Sequence, residues 1–133
     1  MSATPIDHDQ LAAWIQDGNL KPNEDYLVVD VRDQAEFEKG NIAAAVNIPS
    51  TEFASDKAPS EKDQQLLSTP KKLIFHCQLS QVRGPTSANN YLKTVGAAEG
   101  QEVFVLQGGY ANWLEKYGKD SPLVHAAEKK AEE

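Results

Sequence analysis

Cysteine is almost absent from this sequence, since Cys77 is the single one among 133 residues. One thiol excludes an intramolecular disulfide and a multi-cysteine zinc site, so we expect no metal centre, and it fits a reducing compartment. Long apolar runs are lacking too, because none approaches the roughly 20 residues that span a bilayer. The first five residues contain no basic region followed by an apolar stretch. We therefore expect a cytoplasmic or nuclear protein with no membrane partner.

Positive charge is scarce as well. Lys and Arg total 13 against 20 Asp and Glu, which gives a formal net charge of -7. This balance disfavours nucleic acid or an anionic membrane as a partner bound through bulk charge, so any anion must be captured locally. The composition is otherwise near the globular average, with 40% hydrophobic and 25% charged residues. General disorder is therefore excluded, and the length fits one compact domain.

Short apolar runs rich in β-branched residues predict the strands. Runs of this kind occupy 27–31, 73–75 and 103–106, and a weaker candidate lies at 44–48. Near-continuous apolar runs are typical of strands that are buried on both faces. Apolar residues at helical spacing predict helices at 8–17, 60–67, 84–95 and 110–117, and a single helical turn at 36–39. Gly18 is the predicted terminator of the first helix.

The alternation of strands and helices predicts the fold class. Crossover connections of this kind produce a mainly parallel sheet with helices on both faces, so we expect a small α/β domain. We place this single domain at 1–125. Residues 126–133, which are rich in Lys and Glu, are predicted to form a charged C-terminal tail, and 50–62 a polar, irregular segment.

The segment 73–85 carries most of the chemical information, because it runs from a predicted strand through a loop into a helix. Cys77 lies at the carboxyl end of that strand, where ligands sit in open α/β sheets and where a helix N-terminus offers free amides. Arg83 can fold back, so that its guanidinium and the loop amides surround a tetrahedral oxyanion above the sulfur. The same field stabilises a thiolate. Cys77 is thus a candidate nucleophile; the alternative is a small buried apolar residue beside a surface arginine.

These residues also carry a family resemblance. His76-Cys77, five intervening residues with Ser80 in the middle, and Arg83-Gly84-Pro85 resemble the active-site loop of rhodanese-fold phosphatases of the cell-division-cycle dual-specificity type. The fungal and plant arsenate reductases share this loop. The likeness extends over nearly the whole chain, through Val29-Asp30-Val31-Arg32, Glu36-Phe37, Gly40-Asn41-Ile42 and Val105-Leu106-Gln107-Gly108-Gly109-Tyr110 followed by Trp113.

The resemblance implies a fold and a set of roles. It implies a rhodanese-like domain in which Cys77 is the nucleophile and Arg83 clamps the oxyanion. The amides of the loop would cradle the anion, and His76 would organise the loop through a hydrogen bond. Rhodanese sulfurtransferases usually have a loop one residue shorter, so the longer loop favours an ion of phosphate size. The implied oxyanion-binding residues are Gln78, Leu79, Ser80, Gln81, Val82 and Gly84.

Several positions depart from the family pattern. Val31 stands where related phosphatases place a second cysteine, and Gln78 and Val82 stand where mitotic phosphatases place candidate acids. No general acid is therefore assigned. Asp30 is a candidate at a strand end, but we expect it to support the site by accepting hydrogen bonds from backbone or arginine. We expect Glu36 to be a solvated carboxylate at a helix start.

Two enzymatic functions share this predicted site. One is a phosphatase that hydrolyses phosphotyrosine or phosphothreonine proteins or aryl phosphates through a thiophosphoryl-Cys77 intermediate. The other is an arsenate reductase, which with one cysteine needs an external reductant, glutathione together with glutaredoxin. Neither needs a bound cofactor, and the partner is a phosphoprotein or a small oxyanion. A rhodanese-type sulfurtransferase and a non-catalytic interaction domain are the remaining alternatives.

Overall fold

The computed structural model describes residues 2–54 and 57–126. Its strands are β1 (Thr4–Ile6), β2 (Tyr26–Asp30), β3 (Gly40–Ile42), β4 (Ala45–Asn47), β5 (Lys72–His76), β6 (Glu102–Leu106) and β7 (Val124–Ala126). Its helices are α1 (His8–Gln16), α2 (Gln34–Glu38), α3 (Glu61–Ser68), α4 (Arg83–Thr94) and α5 (Gly109–Tyr117), with a 3-10 turn at Ser50–Phe53. No helix within these described ranges is long and apolar enough to cross a membrane.

A five-stranded parallel sheet forms the centre of the fold, in the order β1-β6-β5-β2-β4. In the register of its three central strands, Val28 pairs with Ile74 and Ile74 with Phe104. All four strands expected from the sequence are present in this sheet. The predicted parallel α/β architecture is confirmed.

Alternate residues of the central strands enter two separate apolar clusters. Leu73 and Phe75 of β5 pack with α3, α4 and the 3-10 turn, whereas Ile74 packs on the opposite face with α1 and α5. Because successive side chains of a strand point to opposite sides, the continuous apolar runs fill both clusters at once. Helices therefore cover both faces of the sheet, as predicted.

Three short strands lie outside the sequence-based expectations. Strand β1 pairs with β6 at the edge of the sheet, and β3 forms an antiparallel pair with β7. Pro5 fits within β1 because an edge strand has one side free of ladder hydrogen bonds, so the missing N–H costs nothing there. Part of the segment expected to be irregular forms the 3-10 turn at Ser50–Phe53.

Side chains cap the starts of α1 and α3, and one predicted helix end is wrong. Asp7 caps α1 by accepting from the amide of Gln10 at 2.8 Å, and Ser60 caps α3 in the same way. The prediction that Gly18 terminates α1 is wrong, because the helix ends at Gln16 and its C-cap residue, Asp17, is extended. Of the predicted tail, Ala126 ends β7, and the rest lies outside the described residues.

Candidate active site

Cys77 directly follows β5, the middle strand of the sheet, and lies at its carboxyl end. The loop 78–82 leads from there to Arg83, the first residue of α4. Cys77 is buried, with 4% of its surface exposed. The fold therefore places the sulfur where strand ends and a helix N-terminus meet, as expected from the sequence.

Ser80 connects the loop to the cysteine by two hydrogen bonds. Its amide donates to Cys77 Sγ at 3.2 Å, and its hydroxyl oxygen accepts from the Cys77 amide at 3.4 Å. Ser80 has a φ of 54°, the left-handed conformation that few non-glycine residues adopt. This turn directs an amide at the sulfur, and a donor in that position stabilises negative charge there.

Helix α5 supports the loop through two backbone hydrogen bonds. Its first turn donates from the amides of Tyr110 and Ala111 to the carbonyl oxygens of Cys77 and Gln78, at 3.0 and 2.9 Å. Gly109 precedes them with a φ of 59°, and a Cβ there would collide with both carbonyl oxygens. Glycine is therefore required at this position by close backbone approach as well as by conformation.

The predicted oxyanion-binding residues differ in their exposure to solvent. Gln78, Leu79, Gln81 and Val82 are exposed, and Ser80 is half-buried. Gly84, in contrast, is buried in the first turn of α4, where a Cβ would lie 3.2 Å from the Cys77 amide nitrogen. The backbone of the loop thus runs close to the sulfur while most of its side chains face solvent.

His76 is fully buried beside the loop. Its Nδ1 lies 3.0 Å from the Cys77 carbonyl oxygen, within hydrogen-bond distance, and its Nε2 lies 3.7 Å from Asp30 Oδ2. Burial lowers the pKa of His76, and the nearby Asp30 opposes that shift more weakly. The imidazole is therefore neutral at pH 7, and its contact with Asp30 is not an ion pair. Its position suits the loop-organising role expected for it.

Asp30 and Arg32 form a buried ion pair under the loop. Arg32 donates to both carboxylate oxygens, with Nη2 2.7 Å from Oδ2 and Nε 3.0 Å from Oδ1. The same guanidinium donates to the Gly40 carbonyl at 2.8 Å and to Gln78 Oε1 at 3.2 Å, and it stacks over the Tyr110 ring. Asp30 thus accepts hydrogen bonds from Arg32, and Arg32 in turn contacts the loop at Gln78.

Arg83 forms a forked ion pair with Glu36 of α2. Nη1 lies 2.7 Å from Oε1 and Nη2 3.2 Å from Oε2. Glu36 is also fixed in a capping box with Asp33, whose amide donates to Oε1. The expectation of a merely solvated Glu36 is wrong. Only the tertiary fold brings these residues together, since 47 positions separate them in the chain.

This ion pair changes the titration of both partners. The hydrogen bonds from Arg83 lower the pKa of Glu36 to about 2, against the opposing effect of burial. The pKa of Arg83 is raised, mainly by Glu36 and to a smaller extent by the charge of Cys77. Both groups are therefore ionised at neutral pH, and the guanidinium is held near the cysteine in a fixed orientation.

Carboxylates are absent from the whole stretch that builds the loop. No Asp or Glu occurs between Asp63 and Glu99, whereas that stretch contains Arg83 and several lysines. Of these cations Arg83 lies at the end of the Cys77 loop, whereas Lys71 and Lys72 lie at the opposite end of β5 and Lys93 in the last turn of α4. Among the described residues, no cluster of three or more His, Cys, Asp or Glu side chains is arranged to hold a metal ion.

Comparison with known proteins gives a consistent result. The model of the rhodanese-like domain matches residues 7–116. A Cdc25-like phosphatase of Saccharomyces cerevisiae is 31% identical over 129 residues, covering 90% of this chain and 86% of that protein. An arsenate reductase of Oryza sativa is 35% identical over 92 residues, covering 65% and 67%. A yeast protein tyrosine phosphatase of the rhodanese family superposes with a TM-score of 0.70 at 26% identity, over 98% of this chain and 96% of that structure.

Proposed function

Because the chain belongs to the rhodanese-like domain family, we propose that it is a cysteine-dependent oxyanion enzyme that hydrolyses phosphate monoesters, with Cys77 as nucleophile. The observation that carries the proposal is the loop from Cys77 to Arg83, in which the Ser80 amide donates to the sulfur at 3.2 Å. Five residues separate Cys77 from Arg83, which leaves room for an anion with four oxygens. Its relatives include named phosphatases that it matches over most of their length.

The proposed reaction has two steps. In the first, the Cys77 thiolate attacks phosphorus, an S–P bond forms, and the ester P–O bond breaks with its electron pair leaving on the alcohol oxygen. The guanidinium of Arg83 and the loop amides hold the other phosphate oxygens while their charge is redistributed. In the second step, water attacks the thiophosphate, inorganic phosphate leaves, and the Cys77 thiolate is restored.

The supporting residues act through the loop. Arg32 donates to Gln78, and the first turn of α5 donates to the carbonyls of Cys77 and Gln78. These contacts fix the backbone before an anion arrives, so little reorganisation is needed during the reaction. We assign His76 and Asp30 positioning roles of this kind.

Arsenate reduction is the second candidate, favoured by the 35% identity to the rice reductase. Arsenate is nearly isosteric with phosphate, and Cys77 would displace water from arsenic. A glutathione thiolate then attacks the Cys77 sulfur, two electrons pass to arsenic, and arsenite leaves with a mixed disulfide behind. Glutaredoxin is the proposed partner that reduces this disulfide, because Val31, which follows β2 beside Cys77, supplies no second thiol. Such chemistry suits the reducing cytoplasm or nucleus.

The test is to measure both reactions on the same purified chain. We expect hydrolysis of p-nitrophenyl phosphate and, with glutathione and glutaredoxin, arsenite production from arsenate. Cys77→Ser should reduce both to background, because a hydroxyl is far less nucleophilic than a thiolate at neutral pH. Phosphate-dependent thermal stabilisation of Cys77→Ser controls for folding, since the loop amides and Arg83 remain. Activity that survives this substitution contradicts the assignment of Cys77.

A further inference from the structure

The two exposed large apolar side chains found among residues 2–54 and 57–126 lie on the same short loop. They are Leu79, with 52% of its surface exposed, and Val82, with 69%. A single exposed leucine is ordinary on a protein surface. Here, however, they flank Ser80, whose amide contacts the Cys77 sulfur, and Val82 immediately precedes Arg83. On a loop that also exposes Gln78 and Gln81, we call Leu79 and Val82 the apolar rim of the anion site.

Among the residues that the structure describes, the two carboxyl groups that contact the site's arginines, Asp30 and Glu36, are not free to donate a proton. Glu36 is ionised and committed to Arg83 by two hydrogen bonds, and Asp30 is fully buried and committed to Arg32. The chain from Gln64 to Ala98 contains neither Asp nor Glu. With Asp30 and Glu36 committed in this way, a leaving oxygen departs as an anion or takes its proton from water.

The lack of a proton from Asp30 or Glu36 for the leaving oxygen discriminates between classes of phosphate ester. A phenol such as the tyrosine side chain has a pKa of about 10, whereas an alkyl alcohol lies near the value of water, about 16. Positioned acid catalysis usually contributes about 10²- to 10⁴-fold. An alkyl ester loses that factor here, while an aryl ester needs it far less because phenoxide is already a stable leaving group.

We propose, on the basis of the phosphatase function given above, that Leu79 and Val82 form the leaving-group subsite and make the enzyme selective for aryl phosphate monoesters. In proteins, that ester is phosphotyrosine. The aromatic ring packs against the two apolar side chains while its phosphate occupies the loop above Cys77. As the S–P bond forms, the P–O bond breaks, and phenoxide leaves with the electron pair and is protonated by water.

The first test compares two peptides that differ only in the phosphorylated residue, phosphotyrosine or phosphothreonine. We expect kcat/KM to be at least about 100-fold higher for the phosphotyrosine peptide, the lower bound of what a missing acid costs. Comparable values for the two peptides would overturn the proposal.

The second test isolates the contribution of the rim. The ratio of kcat/KM for phenyl phosphate to that for acetyl phosphate compares a ring with a small group that is also a good leaving group. The double variant Leu79→Asn, Val82→Thr should lower this ratio about tenfold, through a higher KM for phenyl phosphate, because apolar contact with the ring is lost. Thr86→Ser, an exposed position in α4 outside the loop, is the matched control, and its ratio should stay within about twofold of the original.

The outcomes separate the proposal from the function it rests on. An unchanged ratio in the double variant would overturn the subsite, even if both esters are hydrolysed, and would assign the apolar rim to a protein partner instead. Failure to hydrolyse acetyl phosphate, phenyl phosphate and both peptides, with arsenate still reduced, would overturn the phosphatase function itself and the subsite with it.

Discussion

At the scale of single residues, Glu36 orients Arg83, the side chain proposed to clamp the anion. Its carboxylate accepts from both terminal nitrogens of Arg83, while the Asp33 amide holds one of its oxygens. A free arginine side chain loses considerable rotamer entropy when it binds a ligand. In this protein part of that rotamer entropy is already lost on folding, because Glu36 holds the side chain. The guanidinium is therefore oriented before substrate arrives.

The first residue-scale prediction concerns anion affinity. Glu36→Gln removes the charge and half of the fork, so Arg83 should sample other rotamers and bind phosphate about tenfold more weakly. Isothermal titration calorimetry with inorganic phosphate measures this directly. Glu38→Gln, an exposed position on the same helix whose carboxylate contacts Gln34, is the matched control and should bind normally. Equal affinities for the two variants would contradict the positioning role of Glu36.

A second residue-scale prediction concerns acid stability. The pKa of Glu36 is about 2 in the folded protein, below its ordinary value of 4.5, because Arg83 stabilises the carboxylate. A depressed folded pKa stabilises the protein above pH 4.5, and this contribution is lost as pH falls from 4.5 toward 2. The difference in unfolding free energy between wild type and Glu36→Gln should therefore shrink over that interval. Urea denaturation across the interval tests it, and a constant difference would refute the ion pair.

At the scale of elements, α5 combines a structural and a functional task. Trp113 packs in the apolar cluster beneath the sheet and donates through Nε1 to the Leu123 carbonyl at 2.9 Å. Four residues earlier, Gly109 opens the turn that donates to the Cys77 loop. The geometry of the loop therefore depends on how firmly this helix is packed.

The element-scale prediction uses two glycines. Gly109→Ala should destabilise the fold by about 3 kcal/mol, since it combines a left-handed conformation with collision against two carbonyl oxygens. Gly100→Ala is the control, because Gly100 has a φ of 77° but nothing lies within 4 Å of an added Cβ. Its cost should be about 1 kcal/mol, from conformation alone. Thermal denaturation of both variants measures the difference, and equal losses would show that the close approach contributes nothing.

The strands differ in how well the sequence predicts them. Strands β2, β5 and β6 are predictable because their apolar runs fill both clusters and leave a strong pattern. Strand β1 is not, since three residues that include Pro5 show no strand pattern and its partner β6 lies about a hundred positions away. The antiparallel pair of β3 and β7 is not predictable either, because both strands have three residues and lie far apart in the chain.

At the scale of the whole molecule, the candidate site divides into a local part and an assembled part. The local part, from His76 to Gly84, lies within one strand–loop–helix unit, so spacing and residue type alone indicate it. The assembled part consists of contacts from α2 and α5, namely Glu36 on Arg83 and Tyr110 on Cys77. These contacts depend on the packing of helices that lie far apart in the chain, which residue spacing does not encode.

The contact between α5 and the Cys77 loop bears on how the protein is made. A ribosome produces the nucleophile and its loop well before the residues that fix them, because Tyr110 and Ala111 follow Cys77 by more than thirty positions. Domains generally fold as units during synthesis. An emerging chain that ends before α5 would expose the thiol on an unsupported backbone, so catalytic competence requires that α5 has already been synthesised.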